Sequence, residues 1–128
     1  VWSGLQQAVE AGGGSAVLSP DGSYTEKPDA AVVVFGETPY AEFQGDRAAL
    51  VLDPQLTAPY ATMRKLQAEG IPVIAVMITG RPLYVNPALN TADAFVVAWL
   101  PGSEGGGVAD VLVGDSAGKP RFDVTGTL

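Results

Sequence analysis

The stretch GETPYAEFQGDR, Gly36 to Arg47, follows the apolar run Ala31 to Phe35 and carries three acids, a Pro, two Gly and two aromatics. Its carboxylates matter because the chain has no Cys and no His, which removes thiolate nucleophiles, imidazole bases, disulfides and the commonest zinc ligands. Any acid/base chemistry therefore falls to carboxylates, Lys or Tyr. Pro39 restricts Thr38 to extended backbone and Gly45 permits a turn, so Tyr40 to Gln44 reads as a shaped finger. The loop from Gly36 to about Asp53 is far longer than the usual connection, a length often found at functional sites. From residue types alone, none of Glu37, Glu42 or Asp46 stands out against the ordinary solvated loop acid.

Other candidates are equally open. Trp99 offers a face for a sugar or base to stack on, but a Trp at a strand end is more often part of a core. Arg81, between a Gly and a Pro, could clamp a substrate; a fastening role with Asp46 or Glu104 is the simpler reading. Gly102 to Gly107 resembles a phosphate-cradling loop yet lacks the Lys of a P-loop and the spacing of a dinucleotide fingerprint. Lys27, Lys65 and Lys119 fall in unrelated polar segments, and no Ser or Thr has a His to activate it.

The elements that must position these residues follow from periodicity. Trp2, Leu5, Ala8 and Val9 predict a short helix ended by Gly12 to Gly14, and Ser15 to Ser19 a short strand before the Pro20-Asp21-Gly22 turn. Ala31 to Phe35, Pro72 to Ile78 and Ala94 to Trp99 are continuous apolar runs, expected for strands covered on both faces. Gln55 to Glu69 carries helical spacing behind Asp53 as cap and Pro54 as first helical residue. A short helix fits within Pro82 to Asn90, and a last one over Gly107 to Val113 with Ser103 and Glu104 near its start. Strands alternating with helices imply an α/β fold, a mostly parallel sheet sandwiched by helices. The loops leaving the strand ends, Gly36 to Asp53, Thr79 to Tyr84 and Trp99 to Gly106, should then share one edge, the edge at which such sheets bind ligands.

At 128 residues the chain is read as a single domain over 1–128. No apolar run approaches the length of a membrane helix, so a membrane is not an expected partner. The net charge of -7 with no Lys/Arg cluster argues against nucleic acid and anionic surfaces and suits a neutral ligand. No metal or cofactor is expected. The opening Val1-Trp2-Ser3-Gly4 has neither Met nor a signal-peptide pattern, and the chain is expected to be a segment of a longer protein.

Three ordered blocks carry a family resemblance. They are Val33 to Glu42 with Gly45-Asp46, then Ile78-Thr79-Gly80-Arg81-Pro82-Leu83, then Ala98-Trp99-Leu100-Pro101-Gly102-Ser103-Glu104-Gly105-Gly106. Together they resemble the second, C-terminal α/β domain of family 3 glycoside hydrolases, in the β-glucosidase and exo-β-glucanase branch. The resemblance implies a two-domain enzyme acting on a β-glucoside or β-glucan oligosaccharide. An N-terminal (β/α)₈ barrel supplies the Asp nucleophile, and the α/β domain lends the general acid/base across the interface. That acid/base is the Glu of the Pro-Tyr-x-Glu segment, here Glu42. A retaining mechanism needs such a pair of carboxylates about 5 to 5.5 Å apart. Glu37 is then assigned a structural role, with Tyr40, Phe43, Asp46, Arg81, Trp99 and Glu104 as substrate-binding or loop-scaffold residues. The barrel, the nucleophile and the family's opening strand lie outside the chain, so the isolated segment is expected to be inactive and to expose apolar surface. A periplasmic or secreted location is also what the resemblance implies.

Two further readings stay open: a non-catalytic carbohydrate-binding or interaction module of the same fold, and a receiver-like or nucleotide-binding domain. The latter would need an acidic metal pocket or a phosphate loop, and neither assembles from these residues.

Overall fold

The protein's structure, a computed structural model, describes residues 1–125. It contains two compact units, 20–100 and a second formed by 1–19 with the residues from 101 onward. The first holds the sheet. Strands β1 (Ala31–Gly36), β2 (Val73–Ile78) and β3 (Ala94–Trp99) run parallel in the order β1-β2-β3. β-branched and aromatic residues fill all three, as a pleated, half-buried surface favours. Asp93 fastens the start of β3 to that of β2: its carboxylate accepts the Val73 N–H at 2.8 Å and its own N–H donates to Val73 O at 2.9 Å.

Central β2 is almost wholly buried, as expected for a strand covered on both faces. The outer strands are not: Val32 and Val34 of β1 are 40% and 41% exposed, and β3 contains only exposed and half-buried residues. Each outer strand has a single neighbour, so its apolar run overstates its burial.

Between β1 and β2, a 3₁₀ turn (Pro54–Leu56) precedes helix α1, Ala58–Ala68. The expected continuous helix from Gln55 is divided here. Pro59 has no N–H and its ring would crowd the carbonyl four residues back, so the α-helical ladder cannot run through from Asp53. Asp53 still caps, accepting the Gln55 N–H at 3.0 Å. Tyr60, Met63 and Leu66 recur at helical spacing and bury against Phe35, Val73, Ala75 and Met77 of the sheet, with Leu52, Ile71 and Ala88 completing the core. Phe35 meets Tyr60 edge to face at 5.6 Å between ring centroids. The irregular segment after Pro20 is tied to the end of α1, where the Tyr24 hydroxyl donates to the Glu69 carboxylate and Lys27 Nζ to Glu69 O. A cation suits that helix end, and Lys27 acts there as a capping donor. A short helix α2, Asn86–Leu89, fills the β2 to β3 connection.

In the second unit, helix α3 (Trp2–Ala11) packs against helix α4 (Gly105–Leu112), burying Leu5, Val108 and Ala109. The segment Ser15 to Ser19 forms no strand; Val17 and Leu18 are exposed. The last helix begins at Gly105, earlier than its Gly-rich start suggests. Glu104 occupies its N-cap without a side-chain cap bond, and its carboxylate accepts the Ser103 hydroxyl at 3.0 Å.

Candidate functional site

The parallel sheet brings the carboxyl ends of β1 and β2 side by side, Gly36 beside Ile78, and the backbone continues the ladder one step as the Glu37 N–H donates to Ile78 O at 3.0 Å. Glu37 thereby leaves the strand with its side chain turned inward, 6% exposed. A buried carboxylate must be paired, and this one is. The Thr79 hydroxyl lies 2.7 Å from its Oε2, and Arg81 Nε approaches its Oε1 at 3.1 Å. Arg47 stands farther off, 3.9 Å from the same oxygen and 3.9 Å from Asp53.

Thr79 is itself buried, and its hydroxyl serves as both donor and acceptor. It accepts the Arg81 N–H at 3.2 Å, and its one proton has two acceptors in reach, Glu37 Oε2 and Arg81 O. Arg81 extends the network outward. Its guanidinium donates to Gly45 O and lies 3.9 Å from the centroid of the Tyr40 ring, a cation-π arrangement.

The loop between Tyr40 and Gly45 closes on itself, with Gly45 N–H donating to Ala41 O at 3.2 Å and Asp46 N–H to Phe43 O at 3.3 Å. Phe43 sits in the left-handed region at φ 67°, uncommon for a bulky residue, and is 79% exposed. Glu42 is exposed beside it, and among the described residues its carboxylate has no hydrogen-bond or ion-pair partner. A cavity of about 290 Å³ is walled by Glu37, Tyr40, Asp46, Arg47, Asp53 and Arg81 among others; Glu42 lies outside its walls.

Trp99 departs from the core role a strand-end Trp usually takes. The β2 to β3 register slips between Met77 and Ile78, so that Ile78 pairs with Trp99, and Trp99 adopts φ 53°. A bulge re-aims side chains, and Trp99 is 42% exposed. Its carbonyl still accepts the Thr79 N–H at 3.1 Å.

The structure thus joins Glu37, Tyr40, Asp46 and Arg81 around one site, with Glu42 and Phe43 at the tip of the loop. Arg81 pairs with Glu37 and Gly45 rather than Asp46, because Glu37 leaves β1 directly opposite the turn that carries Arg81. Glu104 belongs to the other unit. Thr79 escaped the reading of the sequence as a functional residue. A Thr that ends an apolar run looks like one more strand residue, and nothing local marks it as a hydrogen-bond hub.

Comparison with known proteins extends this picture. Residues 1–126 match the glycosyl hydrolase family 3 C-terminal domain. The chain is 35% identical over 102 residues to a lysosomal beta glucosidase of Dictyostelium discoideum, covering 78% of this chain and 12% of that protein. It is 34% identical over 91 residues to a periplasmic beta-glucosidase of Salmonella typhimurium, covering 70% and 12%. A crystal structure of an exo-1,3/1,4-beta-glucanase from a Pseudoalteromonas species superposes with a TM-score of 0.92 at 53% identity, covering 98% of this chain and 16% of that one. The chain therefore spans about an eighth of the length of these curated relatives. With an α/β fold and a family match over nearly every residue, the chain belongs to the C-terminal domain of family 3 glycosyl hydrolases.

Proposed function

We propose that this chain supplies the general acid/base, Glu42, to a retaining β-glucosidase or exo-β-glucanase. The observation that carries the reading is the contrast between acids on one loop: Glu37 is buried and spent on Arg81 and Thr79, whereas Glu42 is exposed, without a partner among the described residues, and held at the tip of a fastened loop. The names of the relatives, two beta-glucosidases and an exo-beta-glucanase, supply the reaction class.

In this reading a carboxylate of an N-terminal barrel attacks the anomeric carbon while Glu42 protonates the departing glycosidic oxygen. Glu42, now ionised, then takes a proton from the water that releases the sugar. Tyr40 and Asp46 shape the loop's base, while Phe43 and Trp99 offer exposed rings to a sugar face. The Salmonella relative's name supports a periplasmic or secreted enzyme, and no helix among the described residues is long and apolar enough to cross a membrane.

The test is Glu42→Ala in the full-length enzyme, assayed on aryl β-glucosides with good and poor leaving groups. The poor leaving group should lose about 100- to 10,000-fold in kcat/KM, the ordinary worth of a general acid, and the good one far less. Equal losses on both substrates would reduce Glu42 to a shaping residue and favour a non-catalytic role for the loop.

A further inference from the structure

The tip that bears Glu42 is a short segment, Ala41 to Gln44, and both of its feet rest on one side chain. Arg81 lies over the Tyr40 ring at the first foot, 3.9 Å from the centroid, and donates to Gly45 O at the second. From the sheet side Glu37 holds that guanidinium, its Oε1 3.1 Å from Arg81 Nε, and Thr79 holds the Arg81 backbone, whose N–H donates to Thr79 Oγ1 at 3.2 Å. Two missing side chains make the arrangement possible. A Cβ on Gly45 would stand 2.7 Å from Tyr40 Cδ2, and one on Gly80 would stand 2.7 Å from the Tyr40 hydroxyl. The ring is thus wedged between two glycines and beneath a guanidinium.

We propose that Arg81 is the positioning residue for Glu42: acting on Tyr40 and Gly45 together, it sets the reach and direction of the carboxylate at the tip. The proposal rests on the reading of Glu42 as acid/base. A carboxylate that must meet a leaving oxygen to within hydrogen-bond distance gains most from such a clamp, since a misplacement of about 1 Å can cost about a hundredfold in rate. Lys in place of Arg81 could not serve both feet. Its single ammonium lacks the planar fork that reaches a carboxylate, a carbonyl and a ring face at once.

The experiment uses the full-length enzyme and two substrates, a β-glucoside with a poor leaving group and β-glucosyl fluoride, whose fluoride departs with little need of a proton. Gly80→Ala removes no charge and meets Tyr40 chiefly at the hydroxyl, the next ring atom being 3.3 Å away. It should lower kcat/KM on the poor leaving group about ten- to a hundredfold while sparing the fluoride, and adding Tyr40→Phe should restore most of the loss. Arg81→Lys should show the same selective loss, and it carries the test alone if Gly80→Ala fails to fold. Equal losses on both substrates, no loss, or no recovery in the double variant overturns the proposal. Glu42→Ala run beside them separates the two readings. Selective loss there without selective loss in Gly80→Ala or Arg81→Lys overturns the clamp alone; no selectivity in Glu42→Ala overturns both.

Discussion

Five positions apart on one loop, Glu37 faces a guanidinium and a hydroxyl at 6% exposure, while Glu42 stands in solvent with no partner among the described residues. A carboxylate committed to Arg81 and Thr79 cannot swing to a substrate without stranding a cation that is only 14% exposed. Glu37→Gln keeps an acceptor for Arg81 and removes the charge. It should cost about 1.5 to 3 kcal/mol of stability, the worth of a hydrogen bond to a charged group, and leave turnover well above that of Glu42→Gln. Thermal unfolding beside steady-state kinetics checks this, and equal activity losses in the two variants would reverse the assignment. At this scale the candidate acids were legible from their place after an apolar run. The partner of Arg81 was not, because it depends on which strands lie side by side, a fact of tertiary structure that no local spacing encodes.

Helix α1 and the strands it covers show where patterns of residues suffice and where they fail. Apolar runs located all three strands, and Tyr60, Met63 and Leu66 marked the buried face of α1. The division of that helix followed from Pro59, whose effect was masked by the plausible Asp53-Pro54 start, and the bulge at Trp99 had no local signature. Tyr60 carries a cost inside this core: its hydroxyl is buried without a partner among the described residues, and burial pushes the phenol above its ordinary value near 10. Tyr60→Phe should therefore be neutral or stabilising by up to about 1 kcal/mol, where removal of a paired hydroxyl would destabilise. The pH dependence has a definite sign. The folded state holds the Tyr60 proton more tightly than the unfolded state, so its contribution is fully present below about pH 10 and is lost as pH rises through the raised folded value. Denaturant midpoints measured on both sides of pH 10 should fall less steeply in Tyr60→Phe, and an unchanged slope would count against this account of the buried hydroxyl.

Across the whole chain the chemistry is one-sided. The loop that bears Glu42 lies in the unit spanning 20–100, and the chain spans 12% of its beta-glucosidase relatives and 16% of the exo-glucanase structure. The family was legible because three blocks recur in order, and the first two of them are the strand ends and turns that build the Glu37 and Arg81 network. The second carboxylate of a retaining pair was not legible, since a barrel is its proposed source. The most direct test of the central claim is chemical: identify the product that Glu42→Ala full-length enzyme forms from an activated aryl β-glucoside in the presence of azide. Loss of the acid/base leaves a glycosyl-enzyme that water attacks slowly and azide, needing no base, attacks readily; two inversions at the anomeric carbon then give β-glucosyl azide. Accelerated turnover with β-glucosyl azide as product is the predicted result, and unaccelerated turnover, or the α-azide, would contradict it.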